Sequence, residues 1–278
     1  MKTYFKIISL IFLILAIWGC NTKTKSSNSI DENRKSVEMV TDYGTVVIEL
    51  YNETPLHRDN FIKLANNGTY DSLLFHRVIK EFMIQGGDPD SRKAKPGDNL
   101  GNGDLSYKID AEFNPAIFHK RGALGAARDG NPERASSGIQ FYIVQRGVQN
   151  DSLLDQAEIR INKFLADHYA INDPAYKPLR DSIQEARDRE DLARFNFLND
   201  SLNKMAMTYE NFERYSIPES HRKVYKSIGG TPHLDQNYTV FGQVVKGLEV
   251  VDSIAKVQTG TNDRPIIDIR IRSVRVLK

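Results

Sequence analysis

The spacing of apolar residues along this 278-residue chain changes twice, and that double change limits its possible folds more than any other feature. Near the start the inward positions recur every second residue: Val37, Met39 and Thr41, a turn at Asp42-Tyr43-Gly44, then Val46, Ile48 and Leu50. Alternation of that kind lays one face of a strand on a core. Between residues 150 and 228 the stripe moves to helical spacing, with Leu154, Ala157, Ile161, Phe164 and Leu165 on one face. After Gly229-Gly230 the period of two returns, at 240–245 and 267–276. A chain that leaves a β pattern and then re-enters it carries an insertion, not a second C-terminal domain. The expected class is mainly β with an α-helical insertion.

Local signals fill in the elements. Thr54 is placed to cap a helix with Pro55 at its first position, burying His57, Phe61, Leu64 and Ala65 and ending at Gly68. Residues 75–85 read as one apolar strand, closed by Gly86-Gly87-Asp88-Pro89. Gly97, Gly101 and Gly103 among polar residues mark 89–104 as a surface loop. It is no phosphate loop, because Asp104 and Leu105 follow the last glycine where a lysine and a hydroxyl are needed. Short strands are expected at 107–109, 123–127 and 140–144. In the last strand the apolar parity shifts from Ile267, Ile269 and Ile271 to Val274 and Val276, which predicts a bulge near Arg272. In the insertion, Ser152 and Asp155 are spaced as a capping box. Asp173-Pro174 opens a second helix that runs through Leu179, Ile183 and Ala186 and on to Leu192, Phe195, Leu198, Leu202 and Met205. Pro218 opens a third.

The N-terminus follows a different logic. Lys2 and Lys6 precede an apolar run over 7–18, and such a run covers about 18 Å of helix, short of a bilayer core of about 30 Å. It reads as a signal peptide over 1–20. Ile17-Trp18-Gly19-Cys20 resembles a bacterial lipobox, which implies a lipid on Cys20, the only cysteine, and a polar tether over 21–36. The expected location is the extracytoplasmic side of a bacterial membrane, periplasmic or outer-membrane, with that lipid as the anchor. A lipidated cysteine also removes thiol chemistry from the mature chain. A net charge of +2 offers no electrostatic footprint for nucleic acid. The six histidines are scattered without metal-ligand spacing, so no metal is expected, and no motif calls for a cofactor.

What remains is the stretch 75–88. Read as one strand, it puts Arg77 on a face with Ile79, Glu81 and Met83, a cation among large apolar side chains. Periodicity alone reads such a residue as a snorkelling surface arginine. Phe75-His76-Arg77, followed by Phe82-Met83-Ile84-Gln85-Gly86-Gly87-Asp88, nevertheless resembles the central motif of the cyclophilin family of peptidyl-prolyl isomerases. Similar stretches follow in the family's order at 107–118, 122–128, 140–144 and 233–242, so the likeness covers 37–149 and 229–278 and omits 150–228.

The resemblance implies a closed eight-stranded antiparallel barrel capped by two helices, and an activity that turns X–Pro bonds between cis and trans. A barrel of eight strands is filled by its own side chains, so a ligand would bind outside it. By position, Arg77 would be the catalytic residue. Phe82, Met83, Tyr142 and Leu234 would line a proline pocket with Tyr238 nearby, while Gln85, Ala127, Arg128 and Gln140 would hold peptide backbone. Tyr142 stands where the family usually has phenylalanine, so its hydroxyl needs a partner. His233 and Tyr238 also depart from the vertebrate pattern. The implied partners are proline-containing unfolded or flexible segments of exported proteins. The competing reading is a proline-segment binding module without turnover, or a chaperone or docking protein acting through the helical insertion. Both ends of the insertion flank residues of one pocket. They should therefore lie close together, and the helices should be replaceable by a short linker with little effect on small-peptide isomerisation.

Overall fold

The computed structural model describes residues 34–277. The signal peptide, Cys20 and nearly all of the tether therefore lie outside the described residues. Strands β1 (Ser36–Thr41) and β2 (Gly44–Leu50) form the expected hairpin, with Val37, Met39, Val46, Ile48 and Leu50 facing inward. Helix α1 (Pro55–Asn66) buries His57, Phe61, Leu64 and Ala65 as its spacing predicts. Thr54 takes the N-cap position as expected, with Pro55 first in the helix, but its buried side chain makes no capping bond. Glu112 reaches in from a distant loop instead, accepting from the Leu56 and His57 amides at 3.0 Å each and from His57 Nδ1 at 2.7 Å. A carboxylate there satisfies orphan amides and meets the positive end of the helix dipole.

Residues 75–86 are not one strand. Strands β3 (Phe75–Ile79) and β4 (Met83–Gly86) form a hairpin in which Ile79 opposes Met83. The reversal falls at Glu81, which takes a φ of 57°, and Phe82 N donates to Ile79 O. Arg77, Ile79 and Met83 still share a face because opposed residues point the same way, while Glu81 belongs to the tip. Strands β5 (Lys108–Ile109) and β7 (Ser136–Ser137) pair as a separate two-stranded piece. Strands β6 (Ala123–Ala126) and β8 (Phe141–Val144) enter the main sheet.

Four helices follow: α2 (Asp151–Asn172), α3 (Lys177–Asp188), α4 (Leu192–Met207) and α5 (Glu219–Ser227). Asn150, not Ser152, caps α2, accepting from Leu153 N at 2.9 Å. The expected second helix is two, broken where Glu190 is left-handed (φ 57°) and Asp191 caps α4. Strand β9 (Val240–Lys246), helix α6 (Leu248–Ile254) and strand β10 (Ile271–Val276) complete the chain.

The main sheet has eight antiparallel strands in the order β10-β1-β2-β9-β6-β8-β4-β3. It curls around one core in which Phe61 of α1 and Val251 and Ile254 of α6 meet Ile48, Leu124, Phe141, Ile143 and Ile271. The expected closed barrel is in fact a half-barrel. The segments entering its end strands β3 and β10 touch only briefly, through the isolated bridge Leu74–Arg270 and three backbone bonds, Ser72 N to Ile271 O at 2.8 Å, Ile271 N to Leu73 O at 2.8 Å and Phe75 N to Ile269 O at 2.9 Å, and the two strands do not pair as a continuous ladder. The bulge falls as predicted: Val40 pairs with Ser273 and Thr41 with Ile271, leaving Arg272 as the extra residue. Ile267 does not join that strand. It is 81% exposed, and only Ile269 and Ile271 turn inward.

Candidate functional site

The outer face of this sheet carries a second apolar cluster, separate from the core, formed by Met83, Ala127, Tyr142, Val144, Leu234 and Val240, with Phe82 and Tyr238 packed on it. Strand register places its neighbours. Arg77 opposes Gln85, Gln85 opposes Tyr142, and Tyr142 opposes Gly125, so one row crosses β3, β4, β8 and β6 on one face. Of the ten pocket and catalytic candidates, six fall in the apolar cluster and Arg77, Gln85 and Gln140 form a polar chain along its edge. The tenth, Arg128, borders Tyr238.

That chain begins loosely. Arg77 is 43% exposed, and its Nε meets Asp263 Oδ2 at 3.3 Å while Nη1 meets Gln85 Oε1 at 3.4 Å. Nη2 has no partner among the described residues. Further in, the bonds tighten. Gln85 Nε2 donates to Gln140 Oε1 at 3.0 Å, and Gln140 Nε2 donates to Gly103 O at 2.6 Å. The glycine-rich loop thus has a structural task beyond covering the surface, since it orients Gln140. The buried Asp88 carboxylate pins the loop through the amide of Gly101, and a Cβ at Gly103 would overlap that carboxylate.

At the other edge, the Arg128 side chain is tied into the protein's own fold. Its guanidinium binds Asn237 O at 2.9 Å, Asn237 Oδ1 at 2.6 Å and Asp129 O at 2.7 Å, and it lies 4.9 Å over the Tyr238 ring. Its backbone amide and carbonyl make no backbone bond among the described residues. Ala127 N, by contrast, is already paired with Gln140 O. Phe82 stacks on His233 at 5.6 Å, and burial pushes that imidazole down to about 4, leaving it neutral at physiological pH.

The Tyr142 hydroxyl finds its partner in His119, whose Nε2 lies 2.8 Å away. His119 Nδ1 meets Asp235 Oδ1 at 2.7 Å. Sequence reasoning did not single out His119, Asp263 or Gly125, and gave Asp235 no role. His119 and Asp235 are separated by 116 residues and Arg77 and Asp263 by 186, so no local spacing could have joined them. A wider cleft of about 790 Å³ lies between the 96–100 and 260–268 segments, with His76 and Arg264 in its wall, but it contains none of the candidate residues. No helix of the described residues is long and apolar enough to cross a membrane.

The fold and this face define a half-barrel protein with an apolar recess on its outer surface, edged by one half-exposed guanidinium. The chain belongs to the cyclophilin-type peptidyl-prolyl cis-trans isomerase family, an enzyme family. The family model described as cyclophilin type peptidyl-prolyl cis-trans isomerase/CLD matches residues 36–164 and 219–276. A protein of Staphylococcus haemolyticus (strain JCSC1435) named for peptidyl-prolyl cis-trans isomerase activity is 30% identical over 251 residues, 90% of this chain and 95% of that one. A Streptococcus pyogenes protein named as a bifunctional phosphatase/peptidyl-prolyl cis-trans isomerase is 30% identical over 244 residues, 86% of this chain but 38% of that one. Among solved structures, a Cryptosporidium parvum cyclophilin type isomerase shares the fold at a TM-score of 0.51 and 19% identity, covering 88% of this chain and 98% of that one.

Proposed function

We propose that the protein accelerates rotation about X–Pro bonds in exported polypeptides, held outside a bacterial cytoplasmic membrane by a lipid on Cys20. The observation that carries this reading is the cross-strand row. Neighbouring strands lie about 4.8 Å apart, so a proline ring seated against Met83, Tyr142 and Leu234 has its imide nitrogen within reach of the Arg77 side chain two strands away. An imide is planar by resonance, and turning it crosses about 18–20 kcal/mol. At the top of that barrier the nitrogen is pyramidal and bears a free lone pair. The unpartnered Nη2 of Arg77 donates to that lone pair, so it binds the twisted state better than either planar isomer. The free amide and carbonyl of Arg128 hold the peptide backbone on the far side of the pocket. No proton changes hands and no covalent bond forms.

The fold neighbour from Cryptosporidium parvum also has a crystal structure obtained in the presence of the dipeptide Ala-Pro, which supports a proline-containing ligand. Two measurements test the proposal. In a protease-coupled assay on an Ala-Pro peptide, the purified protein should speed the slow phase in proportion to its concentration; a rate equal to the uncatalysed one overturns the activity. Cys20→Ser should move the protein from the membrane fraction to the soluble one, and retention in the membrane overturns the anchor.

A further inference from the structure

Four buried side chains link the inserted helices to the pocket wall. Tyr225 lies on α5, and its hydroxyl donates to Asp235 Oδ2 at 2.7 Å. Asp235 Oδ1 receives the backbone amide of His119 at 3.0 Å and meets its Nδ1 at 2.7 Å. An ionised carboxylate only accepts, so Nδ1 carries the proton and Nε2 is left to accept from the Tyr142 hydroxyl at 2.8 Å. All four residues are buried, and burial pushes both phenols well above their ordinary value, keeping them neutral donors. Every side-chain polar group of these four residues is satisfied, which is the condition under which a buried network specifies one arrangement.

The bond to His119 also has a geometric consequence. The Tyr142 ring lies across β6 above Gly125, where any Cβ would overlap it. The hydroxyl anchor holds the ring down in that position, against Gly125 and within the apolar cluster that contains Met83 and Leu234. We infer that Tyr225, Asp235 and His119 are positioning residues that set the Tyr142 wall of the proline pocket, which makes α5 of the insertion a working part of the site. This inference rests on the proposed isomerase reading, deepening it by naming what fixes the pocket. It also reverses the expectation that the insertion is replaceable by a linker. The ends do meet, with Gln149 N donating to Tyr225 O at 3.0 Å, but a linker would delete Tyr225 and leave Asp235 Oδ2 buried and unpaired.

The test is a double-mutant cycle on the full chain, reading kcat and KM separately from melting temperature. Tyr225→Phe should raise KM about three- to tenfold with kcat nearly unchanged, and should lower Tm. In a Tyr142→Phe background the same substitution should change KM less than twofold while lowering Tm by the same amount. A solely structural role moves both readouts equally in both backgrounds. Equal KM effects in the two backgrounds, or no KM effect in either, overturn the inference. His119→Asn covers the case in which Tyr225→Phe fails to fold, since its shorter amide can still donate to Asp235 but cannot reach Tyr142. It should show the same KM effect, silent again beside Tyr142→Phe. An unmutated protein with no activity at all would instead defeat the isomerase reading, so the two failures are distinguishable.

Discussion

The two edges of the pocket are held in opposite ways. On one side Arg77 is half exposed, bonded at 3.3 and 3.4 Å, with one guanidinium nitrogen free among the described residues. On the other, Tyr142 is sealed against Gly125 and tied through three further buried groups by bonds of 2.7 to 2.8 Å. On the proposed mechanism, a cation that follows a nitrogen through a rotation gains from slack, and a wall that keeps its shape while a ring pushes on it gains from none. The same comparison holds for two buried histidines. His119 is partnered at both nitrogens, whereas His76 is buried with neither nitrogen bonded.

The loose edge should carry the largest effect on catalysis. On the proposed mechanism Arg77→Ala removes one charge-assisted hydrogen bond to the twisted state, of about 1.5–3 kcal/mol, and should lower kcat/KM by about 10- to 150-fold. Its long, exposed contacts mean that Tm should hardly move. Unchanged kcat/KM in the protease-coupled assay would remove Arg77 from the mechanism. The locked edge should show the reverse pattern. Gly125→Ala drives a methyl group into the Tyr142 ring, and overpacking of this kind costs about 1–3 kcal/mol of stability. Chemical denaturation should register that loss together with a raised KM. A variant as stable as the parent would show that the ring is free to leave.

The unbonded histidine makes stability depend on pH. Burial pushes His76 down to about 4, against about 6.5 in an unfolded chain. Between those values the unfolded state takes up a proton that the folded state refuses, so stability falls as pH drops from about 6.5 toward 4. At pH 5 the loss is about 2 kcal/mol. His76→Leu should flatten that part of the stability curve relative to the parent, measured by denaturant unfolding at pH 7 and pH 5. Parallel curves would mean that His76 is already protonated or solvated in the native state.

These contrasts also mark what could be read from the sequence. The alternation of Val37, Met39, Val46, Ile48 and Leu50 and the α1 face of His57, Phe61, Leu64 and Ala65 depend on spacing within one element, and both stand as read. The motif at 75–88 named the residues that strand register then gathers on one face. What failed was local capping and long-range pairing. At α1 Glu112, brought in by the tertiary fold, supplies the acceptor that the Thr54 side chain does not, and at α2 the cap is Asn150, two residues before Ser152. Glu81 and Glu190 take left-handed φ without being glycine, and so they hid one hairpin and one helix break. His119, Asp235 and Tyr225 each look like ordinary polar residues until the fold stacks them.

The smallest effect tests how loose the loose edge is. Asp263 sits in a left-handed turn with Asn262, both at a φ of 57°, a conformation that Asn and Asp tolerate better than most residues. That turn brings its carboxylate to Arg77 Nε at 3.3 Å, with the two side chains 43% and 45% exposed. An exposed pair of this kind is worth about 0.2–1 kcal/mol. On the proposed mechanism the carboxylate competes with the substrate nitrogen for the guanidinium's charge, so Asp263→Asn should leave Arg77 a stronger donor. The expected result is a rise in kcat/KM of no more than about fivefold, fading as ionic strength increases because screening already weakens the pair in the parent. A fall in kcat/KM would mean the opposite. It would show that Asp263 aims the guanidinium, and that the Arg77 edge is held in place and not slack.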